Sequence, residues 1–374
     1  MCQIDRYSEF RDLAKTLGHD AIALVPGPNF TRLYNKSFHS HERPLVIIIP
    51  VEGEPTAIVP NLELASFDLL NFEGQVFDWR DQTGYQDAFD ACSKHLSLSK
   101  IGVEGQLMRV FVHHALKNAY PDLELVDNER EISGLRISKN AGEVEALRKA
   151  IQISEQALTQ TLKMVRIGQS EKQVESILVQ NLFACGAESL SFDPIVAAAD
   201  NSARPHASAR ADYFLKAGDA LLLDFGAVWG GLVADITRTF FVQEVSDKQR
   251  QAYEIVLTAN EAGLAASKPK ATAHDVDDAA TSVLESSNFA DYIRTKTGHG
   301  LGRAVHEAPY IMRGNNHEME VGTVYTVEPG LYLLGEFGIR IEDDVLITEN
   351  GYESLTTFPK TLQLVGDGEI REAS

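Results

Sequence analysis

The sequence predicts an α+β protein of two domains: a smaller α/β domain over residues 1–132 and a larger domain over 133–374 whose two halves repeat one pattern. Three observations carry this. The chain has 374 residues, more than one hydrophobic core usually organises. In its first third, short β-branched runs alternate with stretches of helical apolar spacing. Beyond residue 140, two helices, a histidine-containing loop and a carboxylate-bearing hairpin occur over 141–242 and again over 247–348. Residue identities barely match between the copies, so the repeat is one of pattern, and a site between the halves is the expected consequence.

The elements follow in order. "RYSEFRDLAKTLG" has helical spacing, and "DAIALVP", "PLVIIIPV" and "PTAIVP" are short runs bounded by Pro, Gly and Glu, which predicts strands. "FVHHALKNAY" predicts a helix on which the adjacent His113 and His114 point in different directions. "SFHSHERP" predicts an exposed loop carrying His39 and His41, and no catalytic cluster is expected in this domain. Asn140 with Glu143 reads as a capping box opening a long helix whose stripe is Val144, Leu147, Ile151, Leu158 and Leu162. Ser170 with Gln173 opens a second helix stopped by Gly186, and Ser246 with Gln249 opens a third. "AHDVDDAATSVLESS" predicts a fourth. "DALLLDFGAVWGGLVADITRTFFV" and "GTVYTVEPGLYLLGEFGIRIEDDVLITENG" each place two strand-like arms around a turn.

Composition narrows the function. The chain is 44% apolar and 24% charged, the profile of a soluble globular protein. No apolar run approaches the roughly 20 residues that span a bilayer, and "MCQIDRYSEF" lacks the pattern of a secretory signal, so a cytoplasmic location is expected. Cys2, Cys92 and Cys185 form neither a disulfide framework nor a zinc pattern. A net charge of −20 argues against nucleic-acid or anionic-membrane partners.

The chemistry lies in the hairpins. Asp224 in "LLLDFGA" and Asp235 in "LVADITRTFF" are carboxylates within apolar strands, costly to bury unless paired or bound to metal. One such Asp reads as a salt bridge or capped turn; two on facing arms weaken that reading. Glu328 in "YTVEPGLY" and Glu342 in "GIRIEDD" repeat the oddity, whereas Asp343 reads as a surface residue. Four converging carboxylates would repel, and two divalent cations would offset them. Mn²⁺, Co²⁺ or Zn²⁺ suit such donors, with His299 as the nitrogen ligand. "TGHGLGRAVHEAPY" around His299 fits no rival motif. Its glycines fail the dinucleotide spacing, it lacks the Gly-Lys-Ser/Thr of a phosphate loop, and Tyr310 stands where a zinc-protease helix needs His. Its glycines leave room for close backbone approach beside one imidazole.

With these motifs, residues 135–365 resemble the pita-bread metallopeptidases, and the preceding 130 residues resemble the extra domain of the creatinase, aminopeptidase P and prolidase branch. The resemblance implies a pita-bread catalytic domain with pseudo-twofold halves after a creatinase-like N-terminal domain. It implies Asp224 on one metal, Asp235 and Glu342 bridging two, and His299 and Glu328 on the second. Glu328 would also move the proton, while His206 and His306 would bind substrate and stabilise the oxyanion. Arg340 would steady the bridging carboxylates from outside. The implied activity is dinuclear, Mn²⁺-favoured hydrolysis of the bond before proline in dipeptides or at the N-terminus of short peptides, by a homodimer. Alternatives are a hydrolase of small amides on the same fold, or a non-catalytic binding protein. Tyr310 stands where many prolidases carry a basic residue, with Arg303 and Arg313 nearby, which leaves the choice between dipeptides and longer peptides open.

Overall fold

The computed structural model describes residues 5–38 and 41–373, so His39 lies outside the described residues. The chain divides into two compact units between Arg136 and Ile137. The division falls there because the helix Glu129–Gly134 sends Ile132 into a core of the first unit.

The first unit is built on a mixed sheet ordered Gln75–Trp79, Thr56–Pro60, Val46–Pro50, Ala21–Leu24, Lys100–Val103, Glu124–Asp127. The predicted strands read as unbroken apolar runs because both faces are covered. Ala21 and Ala23 face a core with Phe89, Val112 and Leu116, whereas Ile22 and Leu24 face another with Phe10, Phe30 and Phe67. The first helix, Ser8–Leu17, ends on Gly18 at φ 67°, a left-handed stop that glycine adopts without strain. His41 lies in an exposed bend. His113 is half-buried and His114 exposed on the helix Val110–Ala119.

The second unit repeats a helix pair and a sheet. Helix Ala141–Leu162 opens with the Asn140–Glu143 capping box, and Leu147, Ile151, Leu158 and Leu162 are buried along its inner stripe while Val144 stays half-buried. Each fully buried Leu or Ile contributes about 1.5–3 kcal/mol, so this stripe anchors the helix more firmly than its propensity does. Helices Glu171–Ala184 and Asp247–Ala266 open with the Ser170–Gln173 and Ser246–Gln249 boxes, and Gly186 takes φ 106° beyond the first of these. Thr272 with Asp275 caps Ala273–Glu285 in the same reciprocal way, missed because the motif sought Glu or Gln at the third position.

One sheet runs Arg371–Glu372, Gln363–Val365, Ile236–Val242, Ala220–Phe225, Ile195–Ala198; the other runs Glu307–Ile311, Gly298–Gly300, Val324–Val327, Asp343–Thr348, Gly351–Ser354. Ala220–Phe225 pairs antiparallel with Ile236–Val242, setting Asp224 opposite Thr237. Val324–Val327 pairs with Asp343–Thr348, setting Val327 opposite Asp343. Both strands of this second pair are interrupted where the sequence places a glutamate. Glu328 follows Val327, and Glu342 lies between the strands Phe337–Arg340 and Asp343–Thr348. Among the described residues, no helix is long and apolar enough to cross a membrane.

Candidate active site

The two hairpins bring the sequence-predicted carboxylates together. Asp224, Asp235, His299 and Glu342 are 8%, 4%, 2% and 1% exposed, and the Glu328 side chain is 17% exposed. Ligand atoms of Asp235, His299 and Glu342 all lie within 4.8 Å of one another. His299 Nε2 is 3.7 Å from Asp235 Oδ2 and 3.3 Å from Glu328 Oε1. Asp224 joins through Arg340, which donates to its Oδ2.

Electrostatics favour a cation here. Burial, then the charges of Glu342 and Asp224, hold the Asp235 carboxyl well above its usual range. Burial, then Glu328 and Asp224, do the same to Glu342. Glu328 is pushed up to about 7, chiefly by burial. Arg340 alone does not offset four carboxylates. Oδ1 of Asp224 and Oε1 of Glu342 are buried without a hydrogen-bond partner, and such orphaned acceptors are costly. Burial, then His306, lowers His299 to about 3, so its imidazole is neutral at pH 7 with Nδ1 against the Gly300 carbonyl at 3.1 Å. A ring so held turns Nε2 toward the carboxylates, where it is able to bind a cation. A hard or borderline divalent ion fits this donor set.

Arg340 touches Asp224 directly and reaches Glu342 through Thr237. Its Nε donates to Thr237 Oγ1 at 2.9 Å, and that hydroxyl donates to Glu342 Oε2 at 2.5 Å. NH1 of Arg340 donates to Tyr332 at 2.9 Å. Sequence reasoning missed Thr237, although it lies two residues after Asp235 and strand alternation signals a shared face. Asp343 is a correction: it is 1% exposed, not a surface residue. Arg238 NH2 donates to its Oδ1 at 2.7 Å and Lys360 Nζ to its Oδ2 at 2.8 Å, so paired cations hold it inside.

Both histidine loops are tied to a helix carboxylate of their own half. Glu171 accepts from Ala198 N at 2.7 Å, Asn201 Nδ2 at 2.9 Å and Arg210 N at 2.7 Å, bracketing the loop that presents His206. Asp277 accepts from Thr297 N at 3.0 Å and Arg313 N at 3.2 Å, bracketing the segment that presents His299 and His306. A buried ion pair, Lys139 Nζ to Glu307 Oε1 at 2.7 Å, fixes the residue after His306. His206 and His306 are exposed, and the His306 ring stands edge-on to His299 with centroids 4.2 Å apart. Although the residue is open to solvent on one side, partial burial of its ring lowers the His306 pKa first, then the charges of Lys296 and His206. Tyr310, 39% exposed, pairs with His299 across the strands, and Lys296 Nζ lies 5.5 Å from its ring centroid. Arg303 and Arg313 are committed to Glu143 and to Asp278 with Glu285.

The glycines act as the sequence suggested. A Cβ on Gly298 would overlap the Thr326 carbonyl oxygen, and one on Gly300 the Ala308 carbonyl oxygen. Gly298→Ala should therefore part the strands that seat His299, costing at least about 2 kcal/mol and lowering Tm by several degrees. Thermal unfolding measures this, and an unchanged Tm would show that the strands tolerate the side chain.

A two-domain α+β chain whose repeated hairpins gather carboxylates and one imidazole in a buried cluster has the fold and site of a metal-dependent hydrolase. Residues 145–349 match the model of metallopeptidase family M24, and residues 6–138 match the creatinase/prolidase N-terminal domain. The chain belongs to metallopeptidase family M24. An uncharacterized peptidase of Staphylococcus saprophyticus is 32% identical over 86% of this chain and 90% of its own. Among solved structures, a prolidase from Thermococcus sibiricus is similar with TM-score 0.92 and 31% identity, covering 98% of this chain and 100% of the other. An Xaa-Pro dipeptidase from Bacillus anthracis gives 0.88 and 30%, covering 96% and 99%.

Proposed function

We propose that this metallopeptidase hydrolyses the peptide bond preceding proline, in dipeptides or at the N-terminus of short peptides. The observation that carries the reading is the buried cluster with its orphaned Asp224 and Glu342 oxygens, on a fold matching a prolidase and an Xaa-Pro dipeptidase over nearly their whole length. Asp224, Asp235, His299, Glu328 and Glu342 would hold two divalent ions. Manganese is the ion we favour, because oxygen donors outnumber nitrogen. Such ions supply Lewis acidity toward the scissile carbonyl and lower the pKa of water.

The chain's own groups do the rest. A carboxylate oxygen of Glu328, 3.3 Å from His299 Nε2, takes a proton as the water oxygen adds to the carbonyl carbon. The same proton passes to the proline nitrogen as the C–N bond breaks, leaving a free acid and a secondary amine. Proline's tertiary amide has no N–H to grip, so orientation falls to the carbonyl oxygen. His306, neutral at pH 7, retains an N–H to donate to that oxygen, and His206 approaches from the other half. Lys296, above the Tyr310 ring and near enough for its charge to act on His306 and Glu328, would be the cation that meets a dipeptide's free carboxylate. Tyr310 then supplies a platform for that cation rather than a cation itself.

The test is a substrate panel with added Mn²⁺: Ala-Pro, Ala-Pro amide, Ala-Pro-Pro, a non-proline dipeptide and N-acyl amides. Ala-Pro should be cleaved fastest, and its amide at least about tenfold more slowly, the cost of one lost ionic contact of about 1.4 kcal/mol. Cleavage of N-acyl amides with no turnover of Xaa-Pro substrates would overturn the reading. A cytoplasmic location accords with the unpaired thiols of Cys92 and Cys185. A homodimer, expected from the family resemblance, is checked by light scattering.

A further inference from the structure

The two glutamates of the cluster sit just beyond strand ends: Glu328 follows Val324–Val327, and Glu342 precedes Asp343–Thr348. One side chain binds the backbone at both places. Asn260, fully buried on the helix Asp247–Ala266, donates from Nδ2 to the carbonyl of Val327 at 3.0 Å and to that of Ile341 at 3.4 Å. Val327 immediately precedes Glu328, and Ile341 immediately precedes Glu342. A single amide nitrogen therefore ties together the two peptide planes from which these carboxylates depart.

The amide is itself held. Lys360 Nζ donates to Asn260 Oδ1 at 2.8 Å, which fixes the nitrogen toward the carbonyls. Lys360 also donates to Asp343 Oδ2 at 2.8 Å, and Asp343 Oδ1 accepts from Arg238 NH2 at 2.7 Å. Arg238 closes the circuit by donating from NH1 to the carbonyl of Glu342, and NH2 also reaches the carbonyl of Phe358 at 2.9 Å. The carbonyls on both sides of Glu342 thus belong to one continuous network running Ile341, Asn260, Lys360, Asp343, Arg238, Glu342. None of Asn260, Lys360 or Asp343 is among the residues proposed to hold metal.

We infer that Asn260, oriented by Lys360, is a positioning residue that sets the relation between Glu328 and Glu342 and thereby the affinity of the cluster for divalent ions. This rests on the metal-site reading above. Asn260→Asp keeps size and the Lys360 contact but removes both N–H donors. Lys360→Met leaves Asn260 in place but releases its orientation. The metal-free full chain of each is titrated with Co²⁺, following heat and the cobalt absorption spectrum, at a temperature where thermal unfolding shows it folded. Asn260→Asp should weaken cobalt affinity by about 10- to 100-fold and Lys360→Met by about tenfold, both with an altered spectrum. A folded variant with wild-type affinity and spectrum overturns the inference. If Asn260→Asp does not fold, Lys360→Met decides by the same criterion. A wild-type chain that binds no cobalt would instead overturn the metal-site reading.

Discussion

Asp235→Asn is expected to abolish turnover while making the metal-free chain no less stable. The change is nearly isosteric and removes one negative charge from a position 4% exposed. That carboxylate is held well above its usual pKa by burial and then by Glu342 and Asp224, so in the absence of cations it is a source of repulsion. An amide relieves it. The same substitution removes a donor from the tightest part of the cluster, where Asp235, His299 and Glu342 converge. Turnover should fall by more than the roughly 10- to 100-fold typical of losing an outer partner of a metal ligand. Bound metal should fall below the two equivalents expected of the wild type, measured by elemental analysis after dialysis. Thermal unfolding in chelator should give an equal or higher Tm. Retained activity would sink the assignment of Asp235, and a clearly lower Tm in chelator would show that its role is structural.

Removing divalent ions should destabilise the chain more at high pH than at low pH. The groups concerned are Asp235 and Glu342, raised well above ordinary carboxylate values, and Glu328, raised to about 7. Folded-state values above unfolded ones mean that the folded metal-free chain binds protons the unfolded chain has released. For these groups, stability is fullest below the unfolded value of about 4 and is lost as pH rises through the folded values. Bound cations offset the ionised carboxylates and so reverse the penalty. The gap in Tm between metal-loaded and chelated protein should widen from about pH 5.5 to about pH 8. At about a hundredfold excess over Kd, ligand binding contributes about 2.7 kcal/mol, some 5–10 °C for a unit of this size. Calorimetric titration at about pH 6 should show protons released on metal binding. A Tm gap that does not change with pH would contradict these assignments.

The cluster was legible because it violates a local rule: a carboxylate in an apolar, β-prone run stands out with no knowledge of its partners. Capping boxes were legible for a similar reason, since both partners lie within one turn of helix. Strands Gln75–Trp79 and Glu124–Asp127 were missed because they lie at the sheet edges, where half-exposed side chains blur the apolar pattern. The acidic run at 342–344 shows the limit best. Three consecutive carboxylates share one local context, yet Glu342 enters the cluster, Asp343 pairs with Arg238 and Lys360, and Asp344 accepts the Asp235 backbone N–H at 3.3 Å. Asp343 was misread because its cations are about one hundred residues away on one side and seventeen on the other.

The sequence by itself singled out the residues proposed to carry the chemistry: Asp224, Asp235, His299, Glu328 and Glu342 are marked by type, flank and order. It also determined the repeated frame, because the paired pattern of helices and hairpins is written in local periodicity. Only the tertiary structure decided how those groups are held. Thr237 joins Arg340 to Glu342, Lys296 rather than an arginine stands over Tyr310, and Asn260 binds the carbonyls before both glutamates. The reason is physical. A ligand's identity is a property of one residue, whereas its position depends on hydrogen bonds between segments that meet only when the chain has folded.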